Sequence, residues 1–208
     1  MKKLLHTSIA CVLIGCAFPA FAASTVDLTV KGLIVPSACT PSLSASTVDV
    51  GRISVKDLNQ DTRTQLTPTL LQMGVDCEAS TLFALKATDN RAESGVSVGE
   101  YGIGRTAAGQ RIGGYIMFLD QGIADNTPIN MIRSSNNGVT WGSMRPDMIW
   151  QTNQLISIQE IGAPRVPVPA KNTQVALSVN PFIHAAKDVT IGEDTLIDGS
   201  ATIEVKYL

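Results

Sequence analysis

Beyond residue 22 this chain never holds a helical hydrophobic period for three turns. Short apolar or alternating runs recur instead, cut by Gly, Asn, Asp and Pro. A chain written this way folds as an all-β structure. The predicted strands are TVDLTVKGLIV (25–35), TVDVGRISV (47–55), QMGVDC (72–77), TLFALKAT (81–88), IGGYIMFL (112–119), MIWQTNQLISI (148–158), TQVALSVNPFIHAA (173–186) and SATIEVKYL (200–208). LTPTLLQM (66–73) reads as a strand or as a short helix. DQGIADNTPIN (120–130) and RSSNNGVTWGSMRPD (133–147) read as loops. Residues 86–114, rich in Gly, Ala and small polar side chains, read as a long exposed excursion between two strands. GAPRVPVPAKN (162–172) carries three prolines, which suit a rigid crossing segment just before a strand.

The first 22 residues are of another kind. Lys2 and Lys3, an apolar run and the small-residue pattern Ala20-Phe21-Ala22 make a secretory signal peptide, with Ala23 as the new terminus. No later stretch approaches the roughly 20 apolar residues that a membrane-spanning helix needs. Export also changes the cysteine count. Cys11 and Cys16 leave with the signal, so Cys39 and Cys77 remain as a single pair in an oxidising compartment, and a disulfide follows. Metal ligation would need more soft ligands than these two and His184. The mature chain loses two of its sixteen Lys and Arg residues and keeps eighteen acids, a net charge of −4. That balance offers nothing to nucleic acid or to an anionic membrane. The length suits one domain.

A search for catalytic machinery returns little. His184 is the only histidine of the mature chain and sits among apolar residues, where it reads as packed. No zinc-protease helix motif or nucleophile elbow occurs. GEYGIGRTAAG (99–109) has the glycines of a phosphate loop without its Lys-Ser/Thr ending. Glu93, Glu100, Asp120 and Asp125 read as solvated loop acids. The chain is therefore read as no enzyme and as needing no cofactor. Trp150, within MIWQTNQLI, reads as core, and Trp141, beside Gly142 after a polar loop, is a candidate surface contact for a carbohydrate or a protein.

The two ends of the mature chain are the informative parts. Val26, Leu28, Val30, Gly32 and Ile34 share one strand face, with Asp27, Thr29 and Lys31 on the other. Gly32 weakens a strand interior and marks a place where another group approaches closely. At the other end Ala201, Ile203, Val205 and Tyr207 alternate with Thr202, Glu204 and Lys206. With VDLTVKGLIVPSAC, Cys39, Cys77 in GVDC and a penultimate Tyr207, the sequence resembles the subunits of chaperone-usher fimbriae (pili) of Gram-negative bacteria.

The resemblance implies an immunoglobulin-like, pilin-type β-sandwich that is incomplete, with an N-terminal donor-strand extension. Residues 1–22 would be the signal peptide, 23–35 the extension and 36–208 the sandwich domain. Val26, Leu28, Val30, Gly32 and Ile34 would be the donor-strand positions. The family disulfide, joining the first strand to the next, would be Cys39 to Cys77. The implied partners are neighbouring fimbrial subunits, a periplasmic chaperone, an outer-membrane usher and a host or surface receptor. The protein would pass through the periplasm to a fimbrium on the cell surface and contribute to adhesion. The alternative is a self-contained secreted or periplasmic β-sandwich binding module, with its N-terminal strand paired in cis.

Overall fold

Alternation along the chain builds the sheet. In the computed structural model, which describes residues 29–30, 38–192 and 194–208, the described chain forms eleven strands. They are β1 (Cys39–Leu43), β2 (Thr64–Gln65), β3 (Thr69–Thr81), β4 (Phe83–Asp89), β5 (Tyr101–Gly102), β6 (Gly113–Ala124), β7 (Thr127–Ser134), β8 (Gly142–Met144), β9 (Leu155–Glu160), β10 (Ala170–Ile183) and β11 (Ala201–Tyr207). Along β3, Leu71, Met73, Val75 and Cys77 turn inward while Leu70, Gln72 and Asp76 face solvent. The same period places Val175, Leu177 and Val179 of β10 inside.

Hydrogen bonding runs along one path, β1-β3-β10-β6-β7-β9-β4-β11, and every adjacent pair on it is antiparallel. β2 adds to β10, β5 to β6 and β8 to β7. The two halves of the path share one core. Leu71, Met73 and Leu177 from one half meet Phe83, Leu85, Met131 and Ile156 from the other. Burying each such side chain contributes about 1.5–3 kcal/mol, an upper figure because the unfolded chain already hides part of its apolar surface. The result is the expected all-β sandwich, and Val35–Leu208 forms one compact unit.

Several local readings are corrected. Of the two readings of LTPTLLQM the strand holds from Thr69 onward, where the backbone pairs with β10 and Leu71 and Met73 turn into the core. Residues 120–130 are no loop: they belong largely to the β6–β7 hairpin, whose two-residue turn is Asp125-Asn126. Both residues have positive φ, 47° and 67°, as a type I′ turn requires. Residues 47–55 form no strand. The 86–114 excursion is not simply exposed, since Tyr101, Ile103 and Ile112 are buried in the core. In 148–158 only the Leu155 end is strand, with Trp150 fully buried ahead of it. Residues 162–169 cross without strand structure, Val168 packing against the core.

Candidate functional site

The hydrogen-bonded path has two ends, β1 and β11, and among the described residues they do not pair with each other as strands. They are thus the edge strands of the sheet that the described residues form. The edges meet at one point, where the Cys39 backbone N–H donates to the Tyr207 hydroxyl at 2.9 Å. Away from this point the sandwich opens into a groove of about 1380 Å³. Its floor is the core itself, including Leu71, Ile103, Met117, Leu177 and Val179. One wall is residues 43–58 and the other is residues 191–192 and 194–201, continued by Ile203 of β11.

The sequence explains both walls. After β1 the chain continues as residues 44–58, which leave the sheet but keep Val48, Ile53 and Leu58 against the core. Its TVDVGRISV run alternates as a strand would, yet among the described residues it pairs with no strand. The second wall is tied down by the former excursion. Asp89 accepts from the backbone N–H groups of Arg91 (2.8 Å) and Gly102 (2.9 Å), which folds residues 89–102 into a compact loop. Arg91 then donates through Nε (2.9 Å) and Nη2 (2.7 Å) to Asp198. Asn90 binds Ser200 through backbone and side chain, and the Asp198 N–H donates to the Ile103 carbonyl at 3.0 Å. The adjacent Asp198 holds the Arg91 guanidinium above its usual range. Tyr101 and Tyr115 stack at 5.1 Å beneath this wall, and burial pushes both phenols up, so they stay protonated.

The residues singled out from sequence separate clearly. Cys39 and Cys77 are joined by a disulfide, opposite one another across β1 and β3. Ala201, Ile203 and Val205 of β11 are half-buried toward the core, and Tyr207 is exposed, its hydroxyl accepting from the Cys39 N–H. Val30 is exposed; Val26, Leu28, Gly32 and Ile34 lie outside the described residues. Trp141 is partly buried, near Gly138 and away from the groove-lining residues. His184 packs edge-on against Phe182 at 5.6 Å. The four acids do not converge. Glu100 pairs with Arg63 at 2.6 Å. Asp120 accepts from the Gln121 N–H. Asp125 accepts from the Lys171 and Asn172 N–H groups, which hold its carboxyl below the usual range. Glu93 is exposed. Among the described residues no group of three or more His, Cys, Asp or Glu is placed to hold a metal.

Asp89, Asn90, Arg91 and Asp198 were not expected as site residues. Their pairing spans more than a hundred residues, and a Thr-Asp-Asn-Arg stretch reads locally as an ordinary turn.

A family profile described as "Protein of unknown function (DUF1120)" matches residues 28–100. Among solved structures the chain is similar to the CsuC-CsuE chaperone-tip adhesion subunit pre-assembly complex from archaic chaperone-usher Csu pili of Acinetobacter baumannii, with 15% identity and a TM-score of 0.30. That match covers 82% of this chain and 40% of the other, so the chain spans less than half of its length. Among curated proteins none matches.

Proposed function

We propose that this protein is a structural subunit of a surface fimbria, assembled by donor-strand exchange and contributing to cell adhesion. The observation that carries the reading is the groove between residues 43–58 and 191–203, floored by core side chains, beside the two strands, β1 and β11, that end the sheet path of the described residues. A surface of that kind calls for one more strand, which satisfies the backbone and covers the apolar floor in a single step. The chain's own N-terminal stretch has the alternation to serve as that strand for a neighbouring copy or a partner subunit. Burial of Val26, Leu28, Val30 and Ile34 would contribute at most roughly 6–12 kcal/mol before the cost of ordering the extension. Head-to-tail contacts of this type build an open filament. On this reading the protein is exported through the periplasm, its groove covered in turn by a chaperone and by the next subunit at an outer-membrane usher.

The test removes residues 23–34 and adds a peptide of residues 24–35. At a peptide concentration about 100 times its Kd the truncated protein gains about 2.7 kcal/mol, which raises Tm by roughly 5–10 °C. A peptide carrying Gly32→Leu should fail to do so. Unchanged Tm with the native peptide removes the proposal and favours the self-contained binding module, which would also be a monomer without any chaperone.

A further inference from the structure

The middle of the sheet path carries a second cavity, unrelated to the groove. It is a cleft of about 530 Å³ over β6, β7, β8 and β9, roofed by residues 162–165. That volume lies within the range of small-molecule sites. Its floor holds Gln159, buried with 8% exposure. The Gln159 side-chain N–H donates to the Ala163 carbonyl, and the side-chain amide lines the cleft. Asn130, across the β7–β9 pair from Gln159, adds a second amide.

Guanidinium groups gather at the rim. Arg165 donates through Nε to the Ser143 hydroxyl at 2.9 Å, which fixes its orientation and leaves both Nη groups unspent. Arg145 is held by Asp147 through Nε (3.0 Å) and Nη2 (3.3 Å), with Nη1 unspent. Arg133 donates to the Ser143 carbonyl at 3.3 Å and does not line the cleft. Asp147 and Asp120 are the acids beside them. Arg145 is offset by Asp147, whereas Arg165 forms no ion pair among the described residues. Oriented guanidinium forks recognise planar oxyanions in pairs of hydrogen bonds. The amides and Asp120 suit hydroxyl groups, which both donate and accept.

We infer that this cleft binds a small hydroxylated oxyanion, a carboxylate- or sulfate-bearing sugar, with Arg165 and Arg145 on the anion and Gln159, Asn130 and Asp120 on the hydroxyls. The cleft lies on β6 to β9, whereas the groove lies between residues 43–58 and 191–203 and shares no lining residue with it, so filling the groove leaves it accessible. The inference does not depend on the fimbrial reading.

Isothermal titration of the full chain with glucuronate, glucose 6-sulfate and glucose tests it. At least one of the two anions binds saturably, with Kd between about 0.1 and 10 mM, and glucose binds at least about tenfold more weakly. The tighter anion identifies the head group. Arg165→Ala weakens that anion about tenfold or more while Tm is unchanged, and Arg165→Lys restores part of the loss because charge returns without the planar fork. Equal binding of glucose, unaltered binding by Arg165→Ala, or no saturation by either anion at about 20 mM overturns the inference.

Discussion

The two walls of the groove are built on different principles. The wall of residues 194–201 carries long-range hydrogen bonds within its own span, where Asp198 binds Ile103 and Arg91 and Ser200 binds Asn90, and Thr190 ahead of it binds Gln110. Residues 44–58 are fixed at their ends. Ser44 bonds to Gln72 at the start, and beyond residue 58 Asn59 and Gln60 accept from Ala186 and Lys187, with Lys187 also paired to Asp61. Between those anchors the recorded hydrogen bonds are local, such as Gly51 to Asp49 and Asp57 to Ser54. Val48, Ile53 and Leu58 hold the segment by apolar packing. A wall tied by hydrogen bonds defines a site, and a wall held by side-chain burial between two anchors opens at low cost. A groove that must admit a strand needs both.

The largest effect should come from cutting an anchor of the packed wall. Replacing Cys39 and Cys77 by Ser removes a closed loop with a sequence separation of 38. The expected loss is about 4 kcal/mol in the chain-entropy model, read from guanidinium unfolding with and without reductant. A loss below about 1 kcal/mol would show that closing this loop contributes little to the stability of the strand that leads into the packed wall.

Glycines on the two walls give the next contrast. A Cβ at Gly199 would lie 3.1 Å from both Ile103 and Tyr115, so Gly199→Val presses into the fixed wall and should cost about 1–3 kcal/mol. A Cβ at Gly51 meets nothing within 4 Å, but its φ of +69° is left-handed. Gly51→Ala should cost only about 1 kcal/mol, from backbone strain alone. Equal or reversed losses in urea titrations would erase the difference between the walls. Hydrogen exchange provides a gentler comparison: the Asp198 amide, bonded to Ile103, should exchange more slowly than amides of residues 46–53.

This division between the walls was only half legible in the sequence. Alternation identified the strands around the core and the all-β class, because side-chain period is a local property. The alternation of TVDVGRISV suggested a strand as well, yet strand structure also needs a neighbour, and pairing is decided by topology. The β6–β7 turn was hidden because Asp-Asn lacks the glycine that usually signals a type I′ turn. The fixed wall was invisible for another reason. Arg91 and Asp198 are 107 residues apart, and their charges carry no local pattern. Gln159 and Arg165 were likewise unremarkable until the fold placed them over the same cleft.

The smallest effect should appear as a pH dependence at the far anchor of the packed wall. His184 follows β10, whose Phe182 carries the Arg63 guanidinium 4.3 Å above its ring, and Arg63 ties the end of that wall to Glu100. Burial lowers the His184 pKa below 6.5, Arg63 and Arg111 lower it further, and Glu100 and Asp188 act in the opposite sense. The folded protein therefore binds this proton less readily than the unfolded chain. Its stabilising contribution is complete above about pH 6.5 and is lost as pH falls through that value toward the folded pKa. His184→Gln removes the titration, so the gap in urea midpoint between wild type and variant should shrink from pH 7.5 to pH 5. Parallel profiles would show that the anchor is indifferent to this proton. A gap that widens in acid would mean that Glu100 and Asp188 outweigh burial and the two arginines.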